Sequence, residues 1–157
     1  MGEPLCTLFH PTVYQDGDVR GMVFTFQDRV VFLDPVTGSQ LYRPHRLESG
    51  ETEKRPVGPI HLWAGSISPV VATGDSVFQA APRKRIRRYS ISRDIQIAQV
   101  GIDAAVVLPP LCLPEKDLLV LADRDGTVAV ADIRTSETVF TVELNAGPVG
   151  WIAADEN

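Results

Sequence analysis

The stretch DLLVLADRDGTVAVADIRTSETVFTVEL (117–144) decides how the rest of the chain is read. Val, Leu and Ala crowd two short runs, 117–123 and 127–132, with an alternation that suits half-buried strands and carries no helical stripe. Between the runs stands Asp125-Gly126, a strong hairpin signal, because both residues tolerate the positive φ of a two-residue turn. A further turn is expected at DIRTS (132–136), where the Asp132 carboxylate is placed to accept backbone amides. TVFTVEL (138–144) then supplies another strand.

The same grammar recurs upstream. QDRVVFLDPVTG (27–38) lies over DGTVAVADIRTS (125–136), so that Val30 falls on Val128, Phe32 on Val130, Asp34 on Asp132 and Thr37 on Thr135. One displacement, 98 positions, also sets Met22-Val23 over Val120-Leu121. That is twice a repeat of about 40–50 residues, so a middle copy is expected. GDSVFQAAP (74–82) fills the place, with Val77 under Val30, Pro82 under Pro35 and Ala81 where the outer copies carry Asp. Gly38 is free to adopt a left-handed conformation after Asp34, and SQLYRP (39–44) reads as the last strand of the first copy.

These segments resemble blades of WD40 or quinoprotein-type β-propellers. The resemblance rests on VVFLDPVTGSQL and on 117–144, and it covers most of the chain. It departs from the WD40 signature at Leu33-Asp34 and Ala131-Asp132, where Trp-Asp would stand, and no Gly-His pair precedes a repeat. What it implies is an all-β fold of antiparallel, propeller-like blades in a single domain over 1–157. The blades are set near 3–47, 59–99 and 101–146, with an extra strand at 148–154 and a polar, solvated loop at 48–58. Propellers close with about four to eight blades. Either the chain is part of something larger, or copies associate to finish the ring, or the strands make an open sheet or sandwich.

Composition agrees. The 157 residues are 44% hydrophobic and 22% charged, and twelve Gly with twelve Pro suit a fold rich in turns. A formal charge of -5 argues against a general nucleic-acid binder. Cys6 and Cys112 sit in apolar company and read as small buried residues. No apolar run approaches the ~20 residues of a spanning helix, and no basic segment leads into an apolar one at the start. The expected location is the cytoplasm.

No catalytic set stands out. His10, His45 and His61 lack the spacing of a shared metal site, and Gly65-Ser66-Ile67-Ser68-Pro69 is not a nucleophile elbow. Trp63 and Trp151 read as core. The sharpest local feature is PRKRIRRYS (82–90), whose Arg83, Lys84, Arg85, Arg87 and Arg88 form a cationic run in an acidic protein. Such a run contacts an anionic partner, or else Ile86 and Tyr89 pack inward on an outer strand while the cations guard an exposed edge. Ser90 follows two arginines, as in a basic-directed phosphorylation site. The expectation is a non-catalytic interaction scaffold without cofactors, whose partner is another protein or a second copy completing the sheet. The alternatives are part of a propeller enzyme whose site lies elsewhere, or an anionic-ligand binder using 83–88.

Overall fold

The computed structural model describes residues 10–26, 28–62, 70–81, 85–101, 110–123, 125–135, 137–145, 149 and 152. It is all-β: the described residues contain no α-helix, only a 3-10 turn at Pro114–Lys116. Blade one is built from β1 (Thr12–Asp16), β2 (Val19–Thr25), β3 (Arg29–Leu33) and, after an inserted hairpin, β6 (Ile60–His61). The hairpin is β4 (Tyr42–Arg46) with β5 (Thr52–Pro56). Blade two comprises β7 (Val70–Thr73), β8 (Ser76–Ala81), β9 (Arg85–Ser90) and β10 (Ile95–Gly101). Blade three comprises β11 (Leu111–Leu113), β12 (Leu118–Ala122), β13 (Thr127–Asp132) and β14 (Thr138–Glu143).

Within each blade the strands run antiparallel in chain order. The first strands β1 and β7 also pair with each other, parallel, through Tyr14↔Ala72 and Gln15↔Thr73, and join two blades at their inner edges. The blades then stack face on face. Tyr14, Val23, Val30 and Phe32 of blade one pack against Val70, Val77 and Tyr89 of blade two. On the other side of blade two, Val71, Phe78 and Ile86 pack against Leu119, Leu121, Ala129 and Ala131 of blade three. Alternation along each strand makes this possible, since odd and even side chains leave on opposite faces.

The turns repeat as faithfully as the strands. Asp34 Oδ1 accepts the amides of Val36 and Thr37 at 2.8 and 3.0 Å, and Asp132 Oδ1 accepts those of Arg134 and Thr135 at 2.7 and 2.9 Å. Gly38 adopts φ +68°, as its place after Asp34 requires. The Asp125-Gly126 turn is not the two-residue type. Pairing closes at Ala122↔Val128, and among the described residues of the loop only Gly126 has positive φ. Asp123 instead accepts the amides of Asp125 and Thr127 at 3.0 and 2.8 Å, and holds a wider loop.

The middle copy is a second correction. Val77 is buried, yet β8 is the second strand of its blade, whereas Val30 and Val128 lie on third strands. The third strand of blade two is β9, the cationic segment, and Ile86 holds the place of Val30. Equal spacing failed because blade one carries the inserted hairpin. Residues 52–56, expected in a solvated loop, pair with 42–46, and β6, not 39–44, supplies the fourth strand of blade one. The ribbon is pinned at its base, where Leu41 donates to the Phe32 carbonyl at 3.0 Å and Val57 to the Leu41 carbonyl at 2.8 Å. Its polar composition suits a ribbon with water on both faces. The displacement of 98 also slips by one residue across the β12–β13 loop, so Val23 matches Val120 and not Leu121. Cys6, Trp63, Trp151 and most of 148–154 lie outside the described residues. Val149 and Ile152 are described and are not in a strand.

Candidate functional site

The inner edges of the three blades converge on a cavity of about 360 Å³. β1 contributes Thr12, Val13 and Gln15, β7 contributes Val71, Ala72 and Thr73, and β11 with its approach contributes Pro110, Leu111 and Cys112; Ile152 completes the wall. Part of the local polarity is consumed in holding the strands together. Thr12 Oγ1 donates to the Val70 carbonyl at 3.2 Å, and Thr73 Oγ1 to the Gln15 carbonyl at 3.3 Å. Cys112 is the one cysteine among the described residues, and burial, helped by the Glu115 charge, pushes its thiol up to about 11. It stays protonated at neutral pH and is a weak nucleophile.

A second, more open depression of about 350 Å³ lies where the first hairpins of blades one and two end, between Asp16, Gly17, Gly74 and Glu115. Both hairpins turn on a Gly-Asp pair, Gly17-Asp18 and Gly74-Asp75, with positive φ at each glycine. Beside it Arg43 of the inserted ribbon bridges to Asp16 at 3.4 Å and to Asp75 at 3.0 Å. Asp75 in turn accepts Ser90 Oγ at 2.7 Å and both the amide and hydroxyl of Ser92 at 2.8 Å. Burial works against the Asp75 carboxylate, but the bonds from Ser90, Ser92 and Arg43 together outweigh it and leave its pKa lowered. Tyr14 donates to the Gly74 carbonyl at 2.8 Å, and burial first, then the Asp16 charge, raises its pKa.

The cationic run is divided by the strand that carries it. Arg83 and Lys84 lie outside the described residues. Arg85 and Arg87 leave β9 on the side of blade one, and Arg88 leaves on the side of blade three. Arg85 is exposed, and Arg87 is half-buried. Arg88 is an interblade clamp: Nε donates to Ser76 Oγ at 2.9 Å, Nη1 to the Arg134 carbonyl at 2.5 Å, and the guanidinium lies 5.7 Å from the Phe78 ring centre. Nor is β9 an outer edge, because β8 and β10 pair with its two sides. Ile86 and Tyr89 are both buried, on opposite faces of a blade covered on both. Ser90 is 3% exposed and bonded to Asp75, so the folded chain closes it to a kinase.

His10 and His45 are exposed, and His61 joins blades one and two through Nδ1 to Asp94 Oδ2 at 2.6 Å. Among the described residues no three His, Cys, Asp or Glu side chains gather as a metal site. Sequence reasoning missed the axial cavity and the Arg43 bridge. Gly17-Asp18 and Gly74-Asp75 were the available signal, since short turns of this kind fix where first strands end and so where the axis lies.

No family model matches the chain, and a search of curated proteins finds no relative. Solved structures do match. BamB from Moraxella catarrhalis superposes with TM-score 0.55 at 18% identity, covering 88% of this chain and 39% of that one. BBS1N, solved in complex with ARL6DN, superposes with TM-score 0.58 at 12% identity, covering 94% of this chain and 43% of that one. Both neighbours are β-propeller proteins, and at such identities the likeness is one of fold. The chain spans about two fifths of the length of each.

Proposed function

We propose that this chain is a non-catalytic protein-interaction scaffold, whose rigid blades hold a partner-binding pocket at the convergence of their inner strands. The observation that carries the reading is the wall of the cavity. Val13, Val71, Ala72, Leu111 and Ile152 make it predominantly apolar, with Thr12, Gln15 and Thr73 as its polar lining. A concave, mostly apolar site is the usual form of a ligand pocket, and at protein interfaces such pockets take the buried anchor side chain of a partner. The thiol that borders it is kept protonated, which favours contact over chemistry. That BBS1N was solved with a bound protein supports the same use of such a scaffold.

The test is a photo-crosslinking amino acid placed at Val13, which is 69% exposed, and in a separate protein at Arg85. A discrete adduct with one protein from Val13, lost on Leu111→Asp while far-UV dichroism is unchanged, supports the pocket. An adduct from Arg85 alone moves binding to the cationic strand. A turnover activity abolished by Cys112→Ser would replace the scaffold with an enzyme.

A further inference from the structure

We infer that two copies of this chain pack head to tail, blade three of each on blade one of the other, and close a six-bladed ring. This concerns the outer faces of the blades, which meet the pocket at Val13, paired with Met22; a crosslink from Val13 to a second copy therefore reports the ring, and one to a different protein reports the pocket.

Blade two shows what a covered blade looks like. Val77 and Tyr89 on one face and Phe78 and Ile86 on the other are all buried. In both packed junctions the same kind of face meets its opposite: the face of one blade that carries Val30 or Ile86 lies on the facing side of the next. Like faces meet at neither junction. Blade three repeats the first kind of face with Val128, Val130, Phe140 and Val142; Val130 is buried, Val128 half-buried, and Phe140 and Val142 are 51% and 43% exposed. Blade one offers the second kind, with Met22, Phe24, Val31 and Leu33 half-buried there. These two surfaces are the missing halves of a contact that the chain already makes twice.

The charges agree with that match. Arg20, exposed, leaves β2 on the outward face of blade one, where Arg29 is already held by Asp28, and Asp132, beside Arg134, leaves β13 on the outward face of blade three. A head-to-tail contact either closes or runs on as a fibre. Six blades fall within the about four to eight that close a ring. Two copies also bring the protein near the length of either propeller neighbour, each of which one copy covers to about two fifths.

The experiment is light scattering on the full chain across protein concentration, with far-UV dichroism as the check on folding. The expected mass is twice 17.2 kDa. Phe140→Glu with Val142→Glu should remove the dimer, and so should Val31→Glu on the other face. If Val31→Glu fails to fold, Arg20→Glu, at an exposed site, takes its place and should weaken the dimer about tenfold. Mixing the two face variants should restore a dimer through the one intact contact. A single 17.2 kDa species at every concentration would overturn the inference and point to a longer propeller as the occupant. So would a ladder of larger species, or a dimer that survives every blade-one variant, which would mean that like faces meet.

Discussion

Val30 and Val128 hold one position in two blades, each on a third strand and four residues before a turn-capping aspartate. Yet Val30 has no exposed surface and Val128 is half-buried. Their strands, turns and neighbours in sequence are alike, so the difference lies outside the blade. Blade two covers Val30, and among the described residues no blade covers Val128. A blade fixes its own hydrogen bonds and shelters Val130, 6% exposed on the same face, but burying that face out to Val128 takes the blade beside it. Stability should therefore be unevenly spread along a chain whose repeats look alike.

The largest effect is expected in the covered junction. Phe32 packs edge-on to Tyr14 with ring centres 5.1 Å apart and is fully buried. Phe32→Ala should cost about 3–5 kcal/mol in urea unfolding, and Phe140→Ala on the uncovered face less than about 1 kcal/mol in the monomer. Equal costs would break the comparison. Gly58→Ala should come next, because its φ is +71° and a Cβ would stand 2.6 Å from the Phe32 ring. A loss of about 2 kcal/mol or more is expected from combined strain and overpacking. Gly38→Ala, with φ +68° but open space around it, isolates the backbone part and should cost about half as much.

Arg88→Ala should cost about 1–2 kcal/mol, since it leaves the Phe78 ring and the Arg134 carbonyl without their shared cation. Arg85→Glu, on the same strand but exposed, should stay within about 0.5 kcal/mol. Acid titration sharpens the picture at the Asp75 bridge. Its carboxyl has a lowered pKa in the fold, so its contribution is present above the ordinary carboxylate value near 3.8 and fades as pH falls through the lower folded value. The thermal midpoint should drop below about pH 4. Asp75→Asn should flatten that dependence, and an unchanged acid limb would remove Asp75 from the account.

Much of this was legible in the sequence. The alternation in 21–34 and 117–132 gave the strands, and the spacing of Asp34 and Asp132 from their threonines gave the turns. What was not legible came from long-range contacts. The ribbon 42–56 is mostly polar and its pairing is anchored by Leu41 and Val57, which join Phe32 in one core cluster, an arrangement no local pattern announces. The hidden insertion then displaced the middle repeat, so the cationic strand was read as an edge when it is an interior third strand. The pocket was missed for the same reason, since it exists only where three inner strands meet.

The central claim is that coverage by a neighbouring blade, not strand sequence, separates Val30 from Val128. It is tested most directly by the costs of Val30→Ala and Val128→Ala measured side by side over a range of protein concentrations. At low concentration Val30→Ala should cost about 2 kcal/mol and Val128→Ala about 1 kcal/mol or less. As the concentration rises and a second copy covers blade three, the gap should close. Equal costs at the lowest concentration would contradict the account.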